Sequence, residues 1–226
     1  MALTISQNKQ QRDTPVLEIR NLTFGYDQAL LNIDAFTLAQ QESIAVLGPS
    51  GCGKTTFMHL LTGLLRPDAG SIQINGTEIT TLSEAKIDQL RGQQIGIVFQ
   101  RMHLIPSISI LDNLLLAQRL ARVPSDKTYA IGLLEQLGIA DLGNRRPTTL
   151  SQGQVQRAAI ARAVAHKPSL LVADEPTSAL DDKNARDAIT ILKDLTIGNS
   201  AALIVVTHDE RVRASLQRTY DLTTGQ

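Results

Sequence analysis

One eight-residue segment constrains the fold of this chain more than any other. It reads Gly48-Pro-Ser-Gly-Cys-Gly-Lys-Thr55 and fits the pattern G-x-x-x-x-G-K-[ST] in full. An apolar run at 43–47 precedes it and a helical pattern at 54–64 follows, which is the strand–loop–helix context that the pattern requires. In such a loop, backbone amides point at phosphate oxygens, the lysine reaches the β- and γ-phosphates, and the threonine hydroxyl ligates Mg²⁺. The sequence therefore predicts a nucleotide-binding loop in an α/β fold.

Two acidic residues end a second apolar run, at 170–173. A buried strand that brings Asp174 beside the phosphate loop is a common way of orienting a Mg²⁺ shell. Glu175 faces a different direction, and a carboxylate there can polarise an attacking water. An Asp-Glu pair alone is ordinary where a strand meets solvent, but together with the phosphate loop it predicts a hydrolytic site.

A second anion-binding helix start is predicted at Ser151. This serine is a favourable N-cap, Gly153 follows in the first turn, and the helical pattern continues until shortly before Pro168. Simple capping would account for Ser151 by itself. One nucleotide does not need two helix N-termini from the same chain, however, so we expect the second to serve the nucleotide of a partner.

The remaining sequence alternates short apolar runs with helical patterns. Strands are predicted at 16–24, 43–47, 72–74, 95–99, 170–173 and 202–206. Helices are predicted at 54–64, 81–91, 110–123, 125–137, 151–167, 181–197 and from about 209, the second with a capping box of Thr81 and Glu84. This alternation predicts a mainly parallel sheet covered by helices, and the consecutive helices at about 100–167 predict a helical subdomain inserted in the core.

Composition narrows the class of protein. The 22 basic and 22 acidic residues balance, and aromatic residues are scarce, so a nucleic-acid partner is not expected. No run approaches about 18 apolar residues, so no membrane span is predicted. Residues 1–15 are polar and Gln-rich, without the apolar stretch of a secretory signal, and we expect a disordered leader there. The single cysteine, Cys52, excludes an internal disulfide and fits a reducing cytoplasm.

The ordered motifs resemble those of ATP-binding cassette (ABC) ATPase domains, over the chain from about Val16 to Gly225. The matching segments are the adenine-stacking aromatic Tyr26, the Walker A loop Gly48 to Thr55, the Q-loop glutamine Gln100, the signature Leu150 to Gln154, the Walker B acids Asp174 and Glu175, the D-loop Ser178 to Asp181, and the H-loop histidine His208. The resemblance implies a P-loop NTPase core with a mainly parallel sheet, an N-terminal antiparallel β subdomain and an inserted helical subdomain, with the ABC domain at 16–226.

The resemblance also implies a role for each matching residue in MgATP hydrolysis. The catalytic set would be Glu175, His208, Lys54 and Gln100, with Glu175 activating water, and the Mg²⁺ ligands would be Thr55, Gln100 and Asp174. Contacts to ATP would come from Tyr26, Gly48, Pro49, Ser50, Gly51, Cys52, Gly53, Lys54, Thr55, Thr56, Ser151, Gly153, Gln154 and Asp181.

By the same resemblance, the chain would form an ATP-dependent head-to-tail dimer with two ATP molecules at the interface. Its other partner would be a transmembrane permease on a separate polypeptide, and the chain would be cytoplasmic and peripheral at the inner or plasma membrane. The family signature usually reads Leu-Ser-Gly-Gly-Gln, whereas the third residue here is Gln152. Either this side chain faces solvent without effect, or it weakens closure of the dimer.

Two features are similar to different branches of the family. The segments at 99–106 and 111–114 are similar to lipoprotein-releasing, macrolide-export and cell-division ATPases. This resemblance implies, as an alternative to transport, a membrane partner that transmits force to the periplasm without moving a substrate through itself. The D-loop is more similar to that of amino-acid importers. A soluble ABC ATPase acting on ribosomes or DNA is a further alternative. Outside the motifs, Arg157 and Arg162 are expected to form a solvated or phosphate-facing stripe, while His59, His103 and His166 are expected at the surface or in packing.

Overall fold

Two β-sheets form the framework of the chain, whose computed structural model describes residues 15–26, 29–178 and 182–222. The strands are β1 (Leu17–Gly25), β2 (Ala29–Leu38), β3 (Ser43–Leu47), β4 (Ala69–Ile74), β5 (Thr77–Glu78), β6 (Ile95–Val98), β7 (Leu170–Asp174), β8 (Ala202–Thr207) and β9 (Arg218–Asp221). The helices are α1 (Lys54–Leu61), α2 (Glu84–Gln94), α3 (Ile110–Leu120), α4 (Lys127–Gln136), α5 (Gln152–Val164), α6 (Asp182–Gly198) and α7 (Glu210–Arg213).

The larger sheet has the order β6-β7-β8-β3-β9, and every neighbouring pair in it is parallel. Alternate residues of β7 face different cores, because Leu170 and Val172 belong to one cluster and Leu171 and Ala173 to the other. Both faces of the sheet are therefore covered, which explains why its strands read as continuous apolar runs. Since β3 and β7 are parallel, the phosphate loop and the acidic pair emerge at the same edge of the sheet.

The smaller sheet is antiparallel, in the order β2-β1-β4-β5. Its buried face shares a core with α1 and one face of the parallel sheet. Phe36 of β2 joins these layers: its ring centroid lies 5.8 Å from that of Phe57 on α1 and 5.1 Å from that of Tyr220 on β9, both in edge-to-face geometry. This packing places β2 directly over the start of α1, and the predicted pair of sheets is confirmed.

Between Val98 and Leu170 the chain forms helices and no strand. The helices α3, α4 and α5, with 3₁₀ turns at Ala140–Leu142 and Pro147–Thr149, pack on the opposite face of the parallel sheet. The predicted order of helices is thus observed, while their division into a separate subdomain at about 100–167 stays a prediction. Among the described helices, none is both long and apolar enough to cross a membrane.

Several local predictions were wrong. The capping box of Thr81 and Glu84 does not form, because α2 follows the N-cap Ser83 and makes no side-chain cap bond. Helix α1 was expected to reach residue 64 but ends at Leu61. The next residue, Thr62, caps this end, and its hydroxyl donates to the carbonyl oxygen of Met58. Strands β2 and β9 were not predicted. The leader predicted at 1–15 lies outside the described residues except for Pro15.

Candidate active site

The turn between β3 and α1 has the backbone geometry of a phosphate-binding loop. Gly51 and Gly53 have φ of 83° and 94°, in the left-handed region that other residues rarely adopt. A Cβ on Gly53 would also lie 2.9 Å from Cδ2 of Leu31, a residue of β2. Conformation and close contact therefore both require glycine immediately before Lys54, and the N-terminus of α1 is left free of side-chain caps.

Lys54 closes this loop on itself. Its ammonium Nζ donates to the carbonyl oxygens of Gly48 and Pro49, at 2.8 and 2.9 Å. The positive charge consequently lies across the mouth of the loop, where a phosphate group would meet it together with the helix N-terminus.

Cys52 differs from its neighbours in the loop because its side chain is buried in the core under the smaller sheet. A Cβ on Gly48 would lie 2.4 Å from Cys52 Sγ and 2.9 Å from the carbonyl oxygen of Leu222. The thiol therefore occupies the space that glycine leaves at position 48. Any contact of Cys52 with a nucleotide would run through its main chain.

The first acid, Asp174, ends β7 and is 7% exposed. Burial raises the pKa of this carboxyl, the neighbouring Glu175 carboxylate raises it further, and His59 and Lys54 oppose the shift. The negative charge of the ionised Asp174 carboxylate is therefore not fully balanced by nearby positive charge. A cation bound at this edge of the sheet would balance it.

The second acid is held at both carboxylate oxygens. Oε1 of Glu175 lies 2.7 Å from Nδ1 of His208, and Oε2 accepts a hydrogen bond of 3.0 Å from the hydroxyl of Thr207. The Glu175 side chain is 12% exposed, whereas that of His208 is 65% exposed. Glu175 also has a φ of 46°, an uncommon conformation for a non-glycine residue that is frequent at functional sites.

Lys54, Glu175 and His208 line one open cavity of about 720 Å³, which is within the usual range for small-molecule sites. The cavity is lined by Leu30, Pro49, Ser50, Gly51, Gly53, Lys54, Thr55, Thr56, Gln100, Glu175 and His208. The structure thus brings the predicted phosphate loop, glutamine, glutamate and histidine together around a single space.

Other predicted site residues lie elsewhere. Ser151 caps α5 by accepting from the amide of Gln154, whose side-chain oxygen accepts from the amide of Ser151, a complete capping box. Neither these residues nor Gly153 are among the described residues that line the cavity. Tyr26 is 72% exposed and packs edge-to-face on Phe24, outside that lining. Asp181 lies outside the described residues.

The oxygen donors at this edge of the sheet suit a Mg²⁺ ion that is bound together with a nucleotide. Over the described ranges, no three His, Cys, Asp or Glu side chains cluster as a self-contained metal site. Of the three predicted oxygen donors, Thr55 and Gln100 line the cavity, while Asp174 ends β7 and is not among the described lining residues. Mg²⁺ is commonly held by one or two protein ligands together with substrate phosphates and water, so this donor set suits a metal that arrives with the nucleotide.

Sequence reasoning missed two residues of the site. Thr207 is fully buried, donates to Glu175 and accepts from the amide of Asp209 at 3.0 Å. Its only signal is a hydroxyl residue ending an apolar strand directly before His208. Leu30 lines the cavity from β2, a strand that was not predicted.

A phosphate loop after an interior strand of a parallel sheet, near an acidic pair from another strand of the same sheet, defines the P-loop class of nucleotide-hydrolysing proteins. Comparison with known proteins narrows this class to one family. The family model described as ABC transporter matches residues 31–178, about two thirds of the chain. The chain therefore belongs to the ABC transporter family, in which it is an ATP-binding subunit that hydrolyses ATP.

Relatives and solved structures agree with this family. The chain is 38% identical over 192 residues to the lipoprotein-releasing system ATP-binding protein LolD of Hydrogenovibrio crunogenus, covering 84% of each chain. It is 40% identical over 203 residues to the ABC transporter ATP-binding protein YxdL of Bacillus subtilis, covering 86% of this chain and 78% of YxdL. These names favour a transporter ATPase over a soluble ATPase acting on ribosomes or DNA.

Among solved structures, the fold is similar to the dimeric post-hydrolysis state of the ATP-binding cassette MJ0796 bound to ADP and Pi. The TM-score is 0.82 at 30% identity, covering 92% of this chain and 94% of that one. It is also similar to cbiO1 of Clostridium perfringens, part of the transporter complex cbiONQ, with a TM-score of 0.85 at 26% identity over 95% and 88% of the two chains. The predicted P-loop fold is confirmed.

Proposed function

We propose that this chain hydrolyses MgATP in the cavity at the edge of the parallel sheet, with Glu175 as the base that activates water. The observation that carries this proposal is the fixed carboxylate of Glu175, which His208 and Thr207 hold at its two oxygens. A base held in one orientation beside the γ-phosphate position lowers the barrier by pre-organisation. The same histidine, largely exposed in the cavity, can also contact the γ-phosphate.

Phosphoryl transfer needs stabilisation of charge on the phosphate oxygens, and the loop supplies it. Lys54 would exchange its two carbonyl partners for the β- and γ-phosphates, and the N-terminus of α1 would add its free amides. Thr55, Gln100 and Asp174 would hold Mg²⁺. A Mg²⁺ held by these residues would supply positive charge for the phosphate oxygens and for the Asp174 carboxylate, whose pKa burial raises.

The position of α5 supports a dimer. Ser151 and Gly153 form a helix N-terminus that does not line the chain's own cavity. A head-to-tail pair would place this N-terminus on the nucleotide of the partner, and a two-fold arrangement would give each chain both contacts. The similar cassette MJ0796 is dimeric. ATP would then favour the closed pair because its γ-phosphate binds both chains, and hydrolysis would release them.

The energy of this cycle would power a transmembrane permease on a separate polypeptide, with the chain peripheral at the cytoplasmic face of the membrane. The relatives support this placement, because two of them are named as ATP-binding proteins of a lipoprotein-releasing system and of an ABC transporter.

The test is Mg²⁺-dependent phosphate release by the purified chain and by His208→Ala. Removing the histidine should lower kcat by about 100-fold or more, because the base then loses one of its two fixed contacts and the γ-phosphate loses a donor. The control is Glu135→Ala on α4, which removes an exposed side chain that is not among the described residues lining the cavity. Equal turnover of His208→Ala and wild type would overturn the assigned catalytic arrangement.

A further inference from the structure

Helix α5 begins at the signature residues and runs between two loops of the chain's own active site. One loop follows Glu175 and the other follows Gln100. Side chains of α5 hydrogen-bond to a carbonyl oxygen in each loop. One end of α5 is therefore proposed to bind the partner's nucleotide. Along its length, the same helix contacts the two loops that carry Glu175 and Gln100 of its own chain.

The first contact comes from Gln156, which is 3% exposed. Its amide Nε2 donates to the carbonyl oxygen of Pro176, the residue directly after Glu175. Glu175 has the left-handed φ described above, and its carbonyl accepts from the amide of Ser178 at 3.2 Å. The backbone on the C-terminal side of the base is thus fixed by this turn and by one side chain from α5.

The second contact comes from Arg162, six residues further along α5. Its guanidinium NH1 donates to the carbonyl oxygen of His103 at 2.5 Å. His103 has a φ of 45°, and its ring packs edge-to-face on Phe99. The loop that carries Gln100 is therefore held between this ring contact and α5. Arg162 and Arg157 were expected to form a solvated or phosphate-facing stripe, and this prediction was wrong. Both side chains instead donate to main-chain carbonyl oxygens, Arg162 to that of His103 and Arg157 to that of Leu137.

We infer that Gln156 and Arg162 are positioning residues through which α5 sets Glu175 and Gln100 in their productive places when its N-terminus engages the partner's nucleotide. This inference rests on the proposed dimer mechanism. A helix transmits displacement along its axis with little deformation, and the two contacts lie within about 17 Å of Ser151 by helical rise. The hydrogen bond of Gln156 to Pro176 is buried, and a hydrogen bond in such surroundings is stronger than one in water, so displacement of α5 would move the backbone beside Glu175 with it.

If Gln156 positions the base, its loss should lower the rate of hydrolysis without preventing closure of the dimer. If Gln156 were only a packing residue, both properties would change together. Closure of the dimer depends on Ser151 and Gly153 at the end of α5, whereas the rate of hydrolysis depends on where Glu175 lies. Gln156→Leu keeps the volume of the side chain and removes the donor to Pro176. It should lower kcat at least about tenfold, change the KM for ATP less than about threefold, and leave the ATP-dependent dimer intact in a Glu175→Gln background.

The matched control is Arg157→Met on the same helix, since its lost hydrogen bond goes to Leu137, which is in neither site loop. This control should retain the wild-type kcat. Arg162→Met should behave like Gln156→Leu, and Arg162→Lys should recover most of the lost rate because lysine retains a donor for His103. If Gln156→Leu does not fold, Gln156→Asn replaces it, because its shorter amide withdraws the donor while remaining polar.

The outcomes are distinct. If wild type shows no Mg²⁺-dependent turnover, the proposed hydrolysis fails, and if Glu175→Gln shows no dimer with MgATP, the proposed closure by nucleotide alone fails. If wild type behaves as proposed but Gln156→Leu keeps its kcat, the inference is overturned. A parallel loss of kcat, dimer and thermal stability in Gln156→Leu also overturns it, because that pattern describes a packing residue.

Discussion

In the cavity, Nδ1 of His208 lies 2.7 Å from Oε1 of Glu175. The histidine ring is largely exposed to water, whereas the glutamate carboxylate is shielded from it. The pair connects the ends of β8 and β7, neighbouring parallel strands. The remaining oxygen of Glu175 is bound by Thr207, so the carboxylate cannot rotate without losing a contact. This geometry gives the proposed base a fixed direction.

Glu175→Gln should keep ATP binding and remove nearly all turnover. The amide is isosteric and retains a hydrogen-bonding oxygen, but it cannot accept a proton from water. Equilibrium binding of a fluorescent ATP analogue and steady-state phosphate release measure the two properties. Glu135→Gln, an exposed change on α4, should leave both unaltered. Turnover close to wild type in Glu175→Gln would remove Glu175 from the role of base.

Thr207→Val should lower kcat by about tenfold with little change in KM. Valine preserves the shape of the buried threonine but loses the donor to Glu175 and the acceptor for the amide of Asp209. The unpaired amide should also lower the free energy of unfolding by about 1–3 kcal/mol. Steady-state kinetics and urea unfolding measure these effects. A variant that loses stability but keeps kcat would show that Thr207 supports only the fold.

Glycine substitutions should separate folding from dimer closure. Gly48→Ala should destabilise the fold by about 1–3 kcal/mol, because its Cβ would meet Cys52 Sγ at 2.4 Å and a main-chain oxygen at 2.9 Å. Gly153→Ala meets nothing within 4 Å in the chain itself, so thermal unfolding should be nearly unchanged. Its methyl group would instead lie on the surface proposed to face the partner's phosphate. Retention of the ATP-dependent dimer by Gly153→Ala would contradict that placement.

Stability should fall as the solution becomes mildly acidic, partly through His166. Burial lowers the pKa of this ring below its ordinary 6.5, although the hydrogen bond to the carbonyl of Ile95 opposes the shift. As pH falls below about 6.5, the unfolded chain therefore binds a proton that the folded chain does not, and stability is lost until the lower folded pKa is reached. The contribution is at most about 1.4 kcal/mol per pH unit.

His166→Asn should flatten this dependence, measured as the free energy of urea unfolding between pH 7 and 5. The amide can still donate to Ile95 but does not titrate. The wild-type chain, measured over the same pH range, is the reference for this slope. An unchanged slope in His166→Asn would assign the acid sensitivity to other groups.

The parts of the fold and site that could be predicted are those encoded in contiguous sequence. The phosphate loop, the strand ending in Asp174 and the strand ending before His208 each carry their signal within about ten residues. The parallel sheet followed from the continuous apolar runs, because only strands buried on both faces need them. The helix predicted at 125–137 ends as expected, because Gly138 has a φ of 66° directly after the C-cap Leu137.

The parts that were missed depend on contacts distant in sequence. Strand β2 breaks the period-two pattern at Asp34 and Ala35, two consecutive exposed residues, and its pairing with β1 compensates for the break. Strand β9 is largely exposed and polar, and it forms because β3 offers it an edge. Thr207 and Gln156 acquire their roles only when β7, β8 and α5 come together, so no local pattern marks them.

The most direct test of the central claim is the molar mass of Glu175→Gln by light scattering, with and without MgATP. We expect a monomer that doubles in mass when MgATP is added, because the nucleotide would bridge the phosphate loop of one chain and the signature of the other. A doubling would also show that Gln152 is tolerated in the signature. A monomer that persists while bound ATP is demonstrated would contradict closure by nucleotide alone.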